Sequence, residues 1–305
     1  MAPGLDTMVY PLGYPVRIAT NDSCALSAAA ESWSGWQPLF HAAPLRIRIQ
    51  VHARRGAARA PVFAARQNGF TLRSDPDNAG WFRTSRRIGG IRVGIDTARR
   101  CEWFRYHFLE ALALTALDTV AFTPVHGACV ARYGRALLLC GESGAGKSSL
   151  AYACAERGWA FLADDASHLS MLQPGMVVGD CRRISIRESA ASIFPELRGA
   201  RATALLNGKR KLALDALSLS HWRRTPCAAA AGCVFLMRRP GPGRLSEYDA
   251  ARAKSYFRQY VRWGDPAVRD AQYDLLVRRG CWRLEYEQPG DAVALLDHLS
   301  EALAQ

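Results

Sequence analysis

The sequence predicts an α/β fold built around a phosphate-binding loop, preceded by a smaller β-rich domain. Three stretches support this. Residues 136–140 read Ala-Leu-Leu-Leu-Cys, an apolar run of strand length, and enter GESGAGKS at 141–148, a G-x-x-x-x-G-K-S loop. A helical segment ending at Gly158 follows, and then a second apolar run, 159–163, ends in Asp164 and Asp165. Upstream, Leu45, Ile47, Ile49 and Val51 alternate with Arg46, Arg48, Gln50 and His52, the two-residue period of a half-buried strand.

Taken in order, residues 1–40 contain Pro and Gly punctuation and an Ala-rich run at 25–30, with no clear periodicity. Short strands are expected at 61–65, 69–73, 80–84 and 91–95, separated by Gly, Asn, Asp and Pro. Residues 1–97 therefore read as the β-rich domain and 98–305 as the phosphate-binding domain. Cys101 to Val120 reads as a long amphipathic helix with Phe104, Phe108, Leu109 and Leu112 on its apolar face. A short strand, 128–131, turns at Gly134 into the strand before the loop, which would bring His126 near the loop mouth. After the two aspartates, 166–172 continues to a hairpin signal at Pro174-Gly175. A strand at 232–238, helices at 248–263 and 267–279, a strand at 281–286 and a helix at 291–303 complete the chain.

Each part of the loop has a chemical reason. Gly141, Gly144 and Gly146 allow backbone angles closed to other residues and let amide N–H groups converge on an anion. The following helix, from about Lys147 to Arg157, aims its N-terminus at the same point. Lys147 adds a mobile full charge for the β and γ phosphates, and Ser148 offers a hydroxyl to Mg²⁺. Ser143, Ala145 and Ser149 complete the nucleotide-binding set. Two adjacent carboxylates at the end of a buried strand are costly unless a cation neutralises them, and Mg²⁺ is that cation.

His126-Gly127, the loop GESGAGKS, ERG at 156–158 and LADD at 162–165 resemble, in order and spacing, the catalytic core of the bacterial HPr kinase/phosphorylase family. The resemblance covers about 40 of 305 residues. It implies a P-loop HPr kinase-like (PEP carboxykinase-like) core, ATP and Mg²⁺ as cofactors, a peptide or protein substrate with an acceptor serine, and a homo-oligomer. The wider family includes enzymes that tailor ribosomally made peptides, lasso peptide precursors among them. HPr kinases proper continue an acidic-x-Arg-Gly string with further glycine and asparagine. Here Pro195-Glu196-Leu197-Arg198-Gly199 lacks that continuation, which argues against HPr as substrate and against phosphorylase activity.

Phosphoryl transfer needs the γ phosphate held in line, its charge neutralised and the attacking hydroxyl deprotonated. Asp164 is assigned as the base and Asp165, with Ser148, as the metal contact; the reverse order stays open. His126 assists by holding a proton or orienting a phosphate, and Lys147 completes the catalytic set. One of Arg182, Arg183 and Arg187 is a candidate for the transferred phosphate. Lys209 and Lys211, in a loop before a strand at 212–214, are candidates for phosphate or substrate contact, since the chain has 36 Arg but only 4 Lys. The expected function is an ATP-dependent serine kinase acting on a precursor peptide of the lasso type. The alternatives are an HPr-type kinase, a small-molecule hydroxyl kinase, and a nucleotide-gated binding protein that moves no phosphate.

Composition narrows the rest. Apolar residues make up 49% of the chain, enough for an ample core. No apolar run is long enough for a membrane span, and the start lacks a signal-peptide pattern, so a cytoplasmic protein is expected. The net charge is +13, but the arginines are scattered along the chain, which argues for solvated surface and against nucleic acid. Nine cysteines without a C-x-x-C pair read as free thiols in a reducing compartment.

Overall fold

Alternating apolar and polar residues build the first half of the molecule, and continuous apolar strands build the second. The computed structural model describes residues 4–56, 58–200, 202–204, 210–261 and 263–305. These fall into two units, Met1–Ala121 and Phe122–Gln305.

The first unit is a seven-stranded mixed sheet with the order Leu5–Val9, Val16–Thr20, Leu45–His52, Ile88–Gly94, Ala79–Arg83, Gly69–Arg73, Val62–Arg66. Ile47, Ile49, Phe70, Leu72, Phe82 and Val93 point to one face and are buried. The helices Ser23–Ser32 and Ala111–Val120 pack on the sheet. The expected helix from Cys101 to Val120 is present, but it is interrupted by a π-type turn at Arg105–Glu110. Leu112 packs against Gly80 and Gly89 of the sheet. That packing corrects the sequence boundary at 97/98: the helix belongs to the first unit, and the division falls after Ala121.

In the second unit the strand Arg135–Cys140 lies between Ala128–Arg132, to which it is antiparallel, and Cys227–Arg238, to which it is parallel. Its side chains are buried on both faces, which is why it reads as an uninterrupted apolar run. Leu137 and Leu139 join a core with the helices Lys147–Glu156 and Pro289–Ala304; Leu138 and Cys140 join one with Ala250–Gln259 and Pro266–Val277. A small sheet of Arg183–Ile186, Arg210–Asp215 and Thr203–Ala204 adds to the first of these cores.

The topology then dictates curvature. Phe122–His126 pairs with Ala166–Ser170, whereas Ala128–Arg132 pairs with Ala160–Ala163 and Arg135–Cys140. Yet the chain crosses from 122–126 to 128–132 through Gly127 alone, and from 160–163 to 166–170 through Asp164-Asp165 alone. The ten-stranded sheet must therefore curl until these two crossings meet. A backbone bond from Gly127 N–H to the Asp165 carbonyl, 3.1 Å, joins them. No helix among the described residues is long and apolar enough to cross a membrane.

One consequence concerns acid stability. His168, on the strand Ala166–Ser170, is buried with its ring edge-on to Phe122, and burial lowers its pKa from 6.5 to about 4. The unfolded chain binds the proton first, so the stability of neutral His168 is present above pH 6.5 and is lost as pH falls from there toward about 4, by roughly 3 kcal/mol. Urea unfolding at neutral and mildly acid pH should show this loss in the wild type and a smaller one in His168→Leu.

Candidate active site

The three loop glycines have φ angles that favour glycine: 140° at Gly141, 96° at Gly144 and 97° at Gly146. Two tyrosines hold the loop in that shape. The Gly141 N–H donates to Tyr256 Oη at 3.1 Å, and Tyr256 Oη lies 2.9 Å from the carbonyl oxygens of both Gly141 and His126. Tyr286 donates to the Ala145 carbonyl at 3.0 Å. A Cβ at position 146 would stand 2.2 Å from Tyr286 Oη, so glycine is needed there for contact as well as for φ. Burial raises the pKa of both phenols, that of Tyr286 to about 12, so both remain protonated. Neither was legible as a site residue: a buried tyrosine on a helix or strand has no local signature that separates a loop brace from core.

Lys147 Nζ donates to the Gly141 carbonyl at 2.7 Å and to that of Glu142 at 3.3 Å. Burial lowers its pKa, and the nearby carboxylates, Asp165 first, oppose that shift. Ser148 and Ser149, both half-buried, form the first turn of the helix. Ser143 and Gly144 are exposed at the loop tip.

The two aspartates face unlike surroundings, because successive side chains at the end of a strand point to opposite sides. Asp164 is buried, and its Oδ2 accepts the Ser185 N–H at 2.8 Å. Its Oδ1 is buried and has no hydrogen-bond partner among the described residues. Burial raises the Asp164 pKa; the Ser148 hydroxyl and the Ser185 amide pull it back, and Lys211 adds to that pull. Asp165 has a side chain 64% exposed, with Oδ1 3.8 Å from His126 Nδ1. The register that sets His126 opposite Ala166 produces this proximity. The His126 ring packs against that of Tyr260, with centroids 4.5 Å apart and planes tilted by 33°. Burial and then Lys147 lower its pKa, while Asp165 opposes them, so the imidazole is neutral near pH 7.

Among the three candidate arginines the geometry selects Arg187, whose Nη2 donates to Ser143 Oγ at 3.2 Å and which lies against Gly144. Arg182 is bound to Asp180 at 2.8 Å, and Arg183 is exposed on its strand. Lys211 lies on the strand Arg210–Asp215, not in a loop; Gly208 and Lys209 lie outside the described residues. Glu196 accepts from Tyr152 Oη at 3.1 Å, on the flank of the P-loop helix.

The donor set suits Mg²⁺ accompanying a nucleotide. That ion takes oxygen ligands, retains water and relies on phosphate oxygens rather than a full protein cage. Among the described residues no group of three or more His, Cys, Asp or Glu side chains forms such a cage. Ser148 Oγ and the buried Asp164 Oδ1 are protein oxygens of the kind such an ion takes.

Comparison with a family model singles out the segment that holds the loop and the two aspartates. The HPr serine kinase C-terminal domain family matches residues 119–190. HPr kinase/phosphorylase of Bordetella petrii is 46% identical over 59 residues, and that of Bordetella pertussis 44% over 62. The matches span 19% and 20% of those proteins, and the same shares of this chain. The HPr(Ser) kinase/phosphatase structure from Coxiella burnetii aligns with 60% of this chain and 99% of its own, at 12% identity and a TM-score of 0.31.

The electrostatics of the site can be tested without a ligand. Lys147 lowers the His126 pKa, so Lys147→Met should move it upward, toward the ordinary 6.5, in an NMR titration of the imidazole. Tyr256→Phe should weaken nucleotide binding about 10-fold, as measured by calorimetry, because the loop loses a buried hydrogen-bond partner at Gly141.

Proposed function

Since residues 119–190 form an HPr serine kinase-like segment, we propose that this protein is an ATP-dependent kinase that transfers the γ phosphate to a serine hydroxyl of a peptide or protein. One observation favours transfer over simple nucleotide binding. The adjacent carboxylates are split between a buried position beside Ser148 and an exposed one beside a neutral imidazole. Nucleotide binding alone needs only the first.

We assign the roles in the order opposite to the one first expected. Asp164 and Ser148 would hold Mg²⁺, which supplies neutralising charge at the β and γ phosphates. Asp165 takes the proton from the attacking hydroxyl as its oxygen bonds to the γ phosphorus and the bond to the leaving ADP breaks. His126 orients Asp165 and can share that proton. Lys147 moves from the loop carbonyls to the phosphates, and Arg187 faces the charge that develops on the transferred group.

The acceptor we favour is a ribosomally made precursor peptide, of the kind found in lasso peptide biosynthesis. The family match ends at residue 190, short of the Pro195–Gly199 segment in which this chain departs from HPr kinases. HPr is the second reading, supported by the names of the relatives. The described cysteines are all free thiols, and we place the protein in the reducing, ATP-rich cytoplasm.

Mass spectrometry after incubation with Mg-ATP and a panel of acceptors tests the proposal: precursor-like peptides ending in serine, HPr, and free serine. A phosphate gain on a peptide is expected. Asp165→Asn should lower the rate by about 10²- to 10⁴-fold with Mg-ATP still bound, whereas Asp164→Asn should raise the Mg²⁺ concentration required. Wild-type transfer by Asp165→Asn would remove the base assignment. Tight ATP binding with no gain on any acceptor would leave the nucleotide-gated binding protein as the better account.

A further inference from the structure

The arginines look scattered along the chain, but strand pairing gathers many of them on one surface. In the first unit, Arg46, Ile88, Arg83, Gly69 and Arg66 are successive partners across five strands. Arg48, Gly90, Trp81, Thr71 and Ala64 form the next row on the same face. Gln50, Arg92, Ala79, Arg73 and Val62 form the third. The opposite face is the buried core, so this one is the sheet's outer face, and its arginines are exposed.

Little on it neutralises them. Arg17 pairs with Asp6, and Arg92 lies 4.0 Å from Asp77. Among the described residues no carboxylate pairs with Arg46, Arg48, Arg66, Arg73 or Arg83. Trp81 sits among them, 41% exposed, with the Arg83 guanidinium 5.5 Å from its ring centroid. Trp81, Arg66, Arg83, Arg86 and Thr71 line a groove of about 740 Å³, and none of the described residues in its wall is acidic.

We infer that this outer face docks an acidic polypeptide segment, with an aromatic or aliphatic side chain of that segment seated in the groove at Trp81. Arginines two apart on one strand recur at about 6.6 Å, the spacing of alternate side chains along an extended peptide. No lysine lies on the face, and guanidinium groups match planar carboxylates through paired hydrogen bonds. Trp81 is the single aromatic in the three rows, whereas a platform for single-stranded nucleic acid stacks successive bases on several. The inference rests on the kinase reading only in taking the segment to be part of the substrate or its carrier.

Fluorescence anisotropy without ATP tests the docking by itself. The probes are a fluorescein-labelled peptide of alternating glutamate and glycine with one central phenylalanine, a thymidine oligonucleotide of equal charge, and phosphatidylglycerol vesicles. The peptide should bind most tightly at low salt. Arg48→Glu combined with Arg83→Glu should weaken it by about 10-fold or more, and Trp81→Ala by about 3- to 10-fold. Nucleotide binding at the P-loop should be unchanged in both, and a far-UV circular dichroism spectrum like that of the wild type should show that the first unit's sheet is folded. Preferential binding of the oligonucleotide or vesicles, an undiminished affinity in the charge-reversed variant, or no peptide binding would each overturn the inference. Peptide docking without phosphoryl transfer would instead count against the kinase reading.

Discussion

The short crossings of the curled sheet are the constraint on which the active site depends. Gly127 and the Asp164-Asp165 pair each carry the chain between strands that belong to different parts of the sheet order. Only a curled sheet lets a single residue and a dipeptide span those gaps. The Gly127 position would put a Cβ 2.8 Å from the Leu139 carbonyl, so the crossing runs directly against the strand that feeds the phosphate loop. Ser167 Oγ donates to the Gly127 carbonyl at 3.0 Å and pins the same point from the other crossing. The imidazole, both carboxylates and the loop are thus brought together by backbone geometry, before any side-chain interaction among them.

Burial then separates the two aspartates chemically. A carboxylate taken out of water, with one oxygen that no described residue bonds, suits the cation-holding role proposed for Asp164. A carboxylate open to solvent beside a neutral imidazole suits the proton-accepting role proposed for Asp165. The glycine-rich loop is braced by Tyr256 and Tyr286, which come from a helix and a strand more than a hundred residues downstream. Such bracing limits the reorganisation that binding would otherwise require.

The first unit divides its sheet between two physical tasks. One face supplies the hydrophobic core; the other concentrates positive charge that the packing does not use. The chain as a whole carries a net charge of +13, and on this face the sheet displays arginines with the regularity of its pleat.

The loop and its flanking strand and helix were legible in the residues because their signals are local: three glycines, a lysine, an apolar run and a helix stop. The strands at 45–52, 62–66, 69–73, 79–83 and 88–94 were legible for the same reason, with ends shifted by up to three residues. Residues 5–20, by contrast, form two strands that pair with each other, the second also lying parallel to Leu45–His52, and their composition showed no period. The helix ending at Val120 read as part of the second domain because amphipathicity shows that a partner exists without saying which sheet it is. The roles of Asp164 and Asp165 stayed interchangeable for a similar reason, since adjacency in the chain does not say which side chain turns inward. By itself, the sequence determined the phosphate loop, the identity of its charged groups and most of the strands. Only the tertiary structure decided which carboxylate is buried, which arginine reaches the loop, which tyrosines brace it, and that dispersed arginines share a face. Those properties follow from register and curvature, which join residues the chain keeps far apart.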